Sequence, residues 1–280
     1  MARRSIRCNG IEIVYEEVGE GPRPLVLLHG FTGFRGDFSG QLPALAKVGH
    51  TLAPDLRGHG ESTKLGRAEA YGIEMLAEDL VAWLDALALP AVDLLAHSMA
   101  GLVALRCALA HPERVASLLL MSTAGRGMDW IQPELVARAG ELARKAGMQV
   151  LAQVLKARAA DDPERSAADR RLEAEWGAER FWAWRDARVA AMDPEAYEAL
   201  ALSLYAHESL LPRLGEIAVP TLVMVGEQDQ ALLAPSRELE DAIPTSRCVV
   251  IPRAGHQPQN EAPAAWIHAV KEHLERARRA

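Results

Sequence analysis

Ser98 stands between an apolar run at residues 92–96 and a stretch of helical propensity at 99–110. Small residues, Ala96 and Ala100, lie two positions before it and two positions after it. A nucleophilic serine on a sharp strand-to-helix turn needs small neighbours, because strand and helix must approach closely to hold the strained turn. The usual pattern has glycine at both positions, and a serine that only caps a helix is the alternative interpretation.

An acid and a histidine follow two later apolar runs. Asp229 comes shortly after residues 221–225, and His256 comes shortly after residues 249–251. The carboxyl ends of parallel strands form the edge at which open α/β sheets bind ligands, so both side chains are predicted to lie near Ser98. The chain order Ser, Asp, His distinguishes this set from the triads of unrelated proteases.

Each of these residues also has an ordinary interpretation. Asp229 fits a turn, where aspartate is common, and His256 fits an exposed loop. The run at 115–121 is the other place for an acid, but Ser-Thr-Ala follows it, and this favours Asp229. The other candidate groups are interpreted as structural histidines (His29, His59 and His97) or as solvated loop acids (Asp37 and Glu61).

Short apolar runs alternate with helical segments along most of the chain. An Asn-Gly pair at 9–10 joins two strand-like runs and predicts a hairpin with a type I′ turn. Strands are predicted at 24–28, 51–54, 92–96, 115–121, 221–225 and 247–251, and helices at 74–87, 99–110, 236–242 and from Pro263 onward. Strands that alternate with helices predict a mostly parallel sheet flanked by helices, an α/β fold.

Residues 126–211 interrupt this alternation, since the segment contains no convincing strand. Alanine-rich helices are predicted at 133–158, 164–192 and 194–211. We therefore predict a core formed by residues 1–125 and 212–280, with an all-helical lid at 126–211 inserted into it.

The composition excludes several classes of protein. The chain has 280 residues, 49% hydrophobic and 25% charged, with a net charge of −7, as expected of a folded soluble protein. Neither a membrane-spanning run nor the basic clusters of a nucleic-acid-binding protein are present. Cys8, Cys107 and Cys248 are too far apart to indicate a disulfide framework or a metal site. No apolar signal segment follows the basic start, so a cytoplasmic location is predicted.

Five motifs in this order resemble the α/β-hydrolase superfamily, and the resemblance covers nearly the whole chain. They are His-Gly-Phe at 29–31, Asp-Leu-Arg-Gly-His-Gly-Glu-Ser at 55–62, Ala-His-Ser-Met-Ala-Gly at 96–101, Gly-Glu-Gln-Asp at 226–229 and Gly-His at 255–256. The resemblance implies an eight-stranded, mostly parallel sheet with a helical lid inserted after the sixth strand.

The resemblance also implies a role for each site residue. Ser98 would attack an acyl carbonyl, His256 would accept its proton, and Asp229 would orient the imidazole. The backbone N–H groups of Phe31 and Met99 would form the oxyanion hole. No cofactor and no metal are needed for this chemistry. A serine nucleophile, in place of a carboxylate, argues against the dehalogenases and epoxide hydrolases of this fold.

Ten of the fourteen aromatic residues lie in the predicted lid or directly after the His-Gly turn. Such a distribution suits an apolar acyl or aryl group, although aromatic residues also build the core of a lid. The leucine and valine that follow Gly101 leave no basic cluster beside the serine, which argues against a polyanionic substrate. The candidate substrate-binding residues are Phe34, Trp130, Trp182, Trp184 and Tyr205.

The leading hypothesis is a serine hydrolase that cleaves small to medium, largely apolar carboxylic esters or lactones through an acyl-enzyme on Ser98. One alternative is a hydrolase that cleaves a carbon–carbon bond of vinylogous diketones. The other is a ligand-binding, receptor-like protein with little turnover. The predicted partner is a small molecule, and neither nucleic acid nor a membrane is expected.

Overall fold

The structure is a computed structural model that describes residues 2–162 and 165–279. Its one sheet, within these residues, consists of β1 (Ala2–Cys8), β2 (Ile11–Val18), β3 (Leu25–Leu28), β4 (Thr51–Pro54), β5 (Val92–His97), β6 (Val115–Met121), β7 (Thr221–Gly226) and β8 (Ser246–Ile251). The order across the sheet is β1-β2-β4-β3-β5-β6-β7-β8. Strands β3 to β8 run parallel, and β2 pairs antiparallel with both β1 and β4.

The first two strands form the predicted hairpin. Cys8 pairs with Ile11, and the two residues between them, Asn9 and Gly10, have φ angles of 46° and 74°. Positive φ at both central residues is the requirement of a type I′ turn, which Asn-Gly meets at low cost. The prediction of a hairpin at this position is confirmed.

Helices cover both faces of the sheet. They are α1 (Leu42–Leu45), α2 (Ile73–Ala86), α3 (Met99–Ala110), α4 (Pro133–Ala146), α5 (Met148–Ala160), α6 (Ala167–Trp176), α7 (Ala178–Ala190), α8 (Pro194–Ala206), α9 (Gln230–Ala242), α10 (Pro258–Glu261) and α11 (Pro263–Ala277). Short 3₁₀ helices span Arg35–Phe38, Ala68–Ala70, Pro112–Arg114 and Leu211–Glu216. Successive strand residues point to opposite faces, so Leu94 joins the core that contains Trp83 and Leu95 joins the core that contains Trp266.

The predicted fold class, an eight-stranded and mostly parallel sheet flanked by helices, is confirmed. The central strands β3, β5 and β7 are buried along their whole length, as expected for a parallel sheet covered on both faces. Among the described residues, no helix is both long and apolar enough to span a membrane.

Five helices, α4 to α8, connect β6 to β7. Within this block α5 packs on α7 and α4 packs on α8. Helix α8 begins at an aspartate N-cap, because the Asp193 side chain accepts a hydrogen bond from Glu195 N at 2.9 Å. The assignment of residues 126–211 as one inserted lid stays a prediction.

The predicted helix boundaries in this block are wrong in three places. The helix predicted at 133–158 is two helices, α4 and α5, that meet at Gly147, where φ is 92°. The helix predicted at 164–192 is α6 and α7, divided by Gly177 with φ of 81°, and residue 164 lies outside the described residues. Glycine adopts these angles without steric cost, so both breaks occur where a helix cannot continue. The third helix ends at Ala206, not at residue 211.

Candidate active site

Ser98 occupies the turn between β5 and α3 in a conformation that few serines adopt. Its φ and ψ angles are 53° and −118°, and only 8% of the residue is exposed. A backbone of this kind costs roughly 1–3 kcal/mol, so the surrounding structure must hold it. Ala96 and Ala100 are completely buried beside it. A Cβ atom on Gly30 would lie 2.9 Å from Ser98 Cβ, so the turn after β3 packs directly against the serine.

Thr123 holds this turn from the end of the neighbouring strand, β6. Its Oγ1 donates a hydrogen bond of 2.6 Å to the Ser98 carbonyl oxygen, which also accepts from Gly101 N at 2.9 Å. A Cβ atom on Gly101 would lie 2.6 Å from Thr123 Cβ and nearer still to its Oγ1. This strand-to-helix turn, called the elbow below, therefore requires glycine at position 101. That is one position beyond position 100, where the usual pattern has its second glycine. Sequence reasoning missed Thr123, although its position directly after a predicted strand was a signal.

His256 bridges Ser98 and Asp229. Its Nδ1 donates to Asp229 Oδ2 at 2.8 Å, and its Nε2 lies 3.2 Å from Ser98 Oγ, where it accepts the hydroxyl proton. Asp229 follows β7 and is 8% exposed, and the loop with His256 follows β8. Three predicted residues from three separate strand ends thus form one hydrogen-bonded chain.

Two buried groups position the loop that carries His256. Glu261 accepts hydrogen bonds from Gly255 N at 2.6 Å and from Gln257 N at 3.1 Å. Burial raises the pKa of this carboxyl group, and the two bonds oppose the rise. On the other side, His97 Nε2 donates to the His256 carbonyl oxygen at 2.8 Å. Burial holds the pKa of His97 well below 6.5, so the ring is neutral and carries one donor.

The predicted oxyanion hole uses the backbone amide groups of Phe31 and Met99. Met99 is the first residue of α3, and the N–H groups of a first helical turn have no partner within the helix. Within the described part of the chain, neither amide donates a hydrogen bond. Phe31 lines the same cavity as Ser98 and His256. Their assignment as an oxyanion hole stays a prediction.

The loop at residues 55–62 supports the turn after β3 and contributes no group to the cavity. His29 Nε2 accepts from Leu56 N at 3.0 Å, and its Nδ1 donates to the Gly30 carbonyl oxygen at 2.9 Å. Burial lowers the pKa of His29 to about 4, and burial with the neighbouring His29 lowers that of His59 to about 3. Both rings are therefore neutral at pH 7 and serve as structural hydrogen-bonding groups.

A cavity of about 240 Å³ lies beside the serine. Its lining includes Ser98, His256, Phe31 and Trp184. A second cavity of about 660 Å³ shares Phe31 with the first and continues between α5 and α7, where Trp182 lines it.

The other predicted aromatic contacts lie elsewhere. Trp130 and Tyr205 are 42% and 43% exposed. Among the described residues that line the two cavities, neither of them occurs, and Phe34 does not occur either. Phe34 instead packs over Gly36 in the following turn. Trp182 is 8% exposed and donates from Nε1 to Glu173 at 2.8 Å, so it also serves the core of the helical block.

Two expectations about charge near the serine are wrong. Arg185 and Arg188 of α7 line the cavity together with Ser98, although no basic residue is near the serine in sequence. Asp37 is not a solvated loop acid, since it is 1% exposed and lies 3.0 Å from Arg188 Nε. Burial raises the pKa of Asp37 to about 6. Glu61 is 46% exposed and pairs with Arg35.

A sequence model of the alpha/beta hydrolase fold matches residues 23–263. The chain belongs to the alpha/beta hydrolase fold family. The first two curated relatives match this α/β-hydrolase over only 40% and 41% of its chain, and the matched segments cover 30% and 21% of those relatives' own lengths. In the described residues, no group of three His, Cys, Asp or Glu side chains is arranged to hold a metal ion.

Other members of the family match over their whole length. The pimeloyl-[acyl-carrier protein] methyl ester esterase of Aeromonas hydrophila is 31% identical over 93% of this chain and 98% of its own. The structure of a thermophilic esterase from Thermogutta terrifontis superposes with a TM-score of 0.83 at 27% identity, covering 99% of each chain. The enol-lactonase of Burkholderia xenovorans LB400 has a TM-score of 0.82 at 30% identity, covering 97% of this chain and all of its own.

Proposed function

We propose that this α/β-hydrolase cleaves a carboxylic ester or lactone through a covalent acyl-enzyme on Ser98. The observation that carries the proposal is the hydrogen-bonded chain from Ser98 Oγ through His256 to Asp229, centred on a strained turn. A serine hydroxyl is a weak nucleophile, and an adjacent base within hydrogen-bonding distance is what activates it. The names of the three similar proteins support the same reaction, since each is called an esterase or a lactonase.

In the first half of the reaction, Ser98 Oγ attacks the carbonyl carbon of the substrate as His256 Nε2 accepts the hydroxyl proton. The carbonyl π electrons move to oxygen, and the resulting oxyanion accepts hydrogen bonds from the Phe31 and Met99 amides. Collapse of this tetrahedral species breaks the bond to the alcohol oxygen, which takes the proton from His256. Asp229 stabilises the imidazolium ion in between and keeps Nε2 directed at the serine.

In the second half, water enters where the alcohol has left. His256 accepts a proton from the water as it attacks the acyl carbon, and Ser98 Oγ leaves with that proton. The carboxylic acid is released and the serine hydroxyl is restored.

We propose that α4 to α8 act as a lid over this site, because α6 and α7 supply one wall of the cavity. The cavity volume of about 240 Å³ favours a small acyl group near the serine.

The test is turnover of p-nitrophenyl acetate, butyrate and octanoate by the wild type and by Ser98→Ala. The substitution should lower kcat/KM by about 10⁴-fold or more, because the nucleophile itself is removed. Ser209→Ala is the matched control, since Ser209 is exposed and lies outside both cavities. Ester turnover that survives Ser98→Ala would refute the assignment. A ring-cleavage diketone in a parallel assay decides between ester and carbon–carbon cleavage, and binding of an apolar ester without any turnover would indicate a receptor.

A further inference from the structure

Arg188 is a buried cation in the wall of the cavity beside Ser98. Its side chain is 11% exposed, and it extends from α7 towards Asp37 in the 3₁₀ helix after β3. Asp37 Oδ1 lies 3.0 Å from Arg188 Nε, and the Trp184 ring centroid lies 5.0 Å from Arg188 Cζ. The ion pair at one edge and the ring at one face restrict the orientation of the guanidinium group.

The remaining edge of this group has no partner. Arg188 Nε and both carboxylate oxygens of Asp37 are buried without a hydrogen-bond partner among the described residues, so the 3.0 Å contact is an ion pair without hydrogen-bond geometry. Neither Nη atom of Arg188 forms a hydrogen bond with a residue that the structure describes. Its neighbour Arg185 differs, because Arg185 Nη1 lies 2.9 Å from each carboxylate oxygen of Asp169. Polar donors this deep in a protein normally have partners, and a guanidinium edge matches the two oxygens of a carboxylate.

We propose that Arg188 binds a carboxylate group of the substrate, so that the substrate is a small ester or lactone that also carries a free acid. This inference rests on the proposed function, because it places that acid within the cavity that holds the reacting serine. It modifies the expectation of a largely apolar substrate by adding one carboxylate group. Trp184 then acts by holding the guanidinium plane, as well as by lining the cavity.

The charges around the cavity favour one negative charge over two. Asp169 and Glu261 line it together with Arg185 and Arg188, and Asp37, which is not a lining residue, already pairs with Arg188. A dianionic phosphate would bring a second negative charge close to these carboxylates, where like charges repel strongly at low dielectric. A single carboxylate takes the open donors of Arg188 with less repulsion.

Two methyl esters of equal length provide the test. Monomethyl succinate and methyl butyrate differ only by a terminal carboxylate in place of a methyl group, and released methanol reports hydrolysis of both. In Arg188→Met, the ratio of kcat/KM for monomethyl succinate to that for methyl butyrate should fall about 10- to 100-fold, the loss of a charged hydrogen-bonded pair. Arg180→Met is the matched control, since Arg180 is an exposed arginine of the same helix. Its ratio should stay within twofold of wild type.

A second variant keeps the test valid if Asp37, left without its arginine, destabilises the protein. Asp37→Asn/Arg188→Met removes both charges and should show the same fall in the ratio. An unchanged ratio in both folded variants would overturn the proposal.

Binding separates this proposal from the proposed function. Ser98→Ala should bind monomethyl succinate in calorimetry, and Ser98→Ala/Arg188→Met should lose at least about tenfold in affinity. Equal binding by the two proteins would also overturn the role of Arg188. Loss of the proposed function would appear instead as methyl butyrate hydrolysis that does not depend on Ser98, whatever the binding result.

Discussion

Gly226 joins the two loops that supply the acid and the histidine. It is the last residue of β7, three positions before Asp229, and it touches the backbone that leads from β8 to His256. A Cβ atom at this position would lie 2.5 Å from the carbonyl oxygen of Ala254 and 2.7 Å from its carbonyl carbon. The carbonyl oxygen of Gly255 would be nearer still. All of these are backbone atoms, so no side chain can rotate to make room.

The structure therefore gives the smallest backbone displacement that Gly226→Ala must cause. A separation of less than 3.0 Å is not tolerated, so the oxygen of Ala254 must move by about 0.5 Å and that of Gly255 by more. His256 is the next residue, and its Nε2 is 3.2 Å from Ser98 Oγ. Misplacement of a catalytic group by about 1 Å costs roughly 10²-fold, so we expect a loss of about 10- to 100-fold in kcat/KM. Crowding should lower the unfolding free energy by about 1–3 kcal/mol.

The assay is hydrolysis of p-nitrophenyl butyrate, combined with urea unfolding of the same samples. Gly215→Ala is the matched control, because no heavy atom lies within 4 Å of the added Cβ and the backbone there does not need positive φ. That variant should keep wild-type activity. A folded Gly226→Ala protein with kcat/KM within threefold of wild type would refute the argument that this contact positions His256.

Two further predictions concern stability. Thr123→Val keeps the volume of the side chain but removes the hydroxyl that donates to Ser98 O. Loss of this hydrogen bond should lower the unfolding free energy by about 1 kcal/mol. Because the bond supports the turn that carries Ser98, kcat should also fall by about fivefold. Thr123→Ser keeps the donor, so equal kcat values in the two variants would contradict this role. His273, whose pKa burial lowers to about 4, stabilises the fold above pH 6.5 and loses that contribution as the pH falls towards 4. His273→Leu should therefore shrink the loss of unfolding free energy between pH 7 and pH 5 by about 2 kcal/mol, and an unchanged pH dependence in urea titrations would contradict it.

Sequence reasoning located Ser98, Asp229 and His256 because each follows a strand, and all parallel strands end at one edge of the sheet. Side chains more than 100 residues apart therefore come together once the strand order is known. Helix boundaries were harder, since the breaks at Gly147 and Gly177 depend on backbone angles that an alanine-rich helical pattern hides. A glycine within a helical pattern is tolerated often enough that its presence alone does not end a helix.

The position that must be glycine in the elbow could not be predicted from the sequence either. The usual pattern places glycines where Ala96 and Ala100 stand, and their methyl groups are accommodated in full burial. At Gly101 a methyl group would meet Thr123, so this position is the one that tolerates no side chain. Whether a side chain fits at each position of the elbow depends on the residue that follows the neighbouring strand, and only the fold shows that this residue is Thr123.

The charged side chains of the site also could not be predicted from the sequence, because they come from positions far apart in the chain. Arg188 reaches the cavity from a helix about ninety residues beyond Ser98, and its partner Asp37 comes from a 3₁₀ helix about sixty residues before Ser98. Neither has a local sequence signal, because a lone arginine in a helix and a lone aspartate in a loop are normally solvated. Their meeting depends on how α7 lies over the sheet. The proposed nucleophile and base can therefore be predicted from the strand order. The proposed preference for an acidic substrate depends instead on the helical block, where sequence patterns carry the least information about contacts.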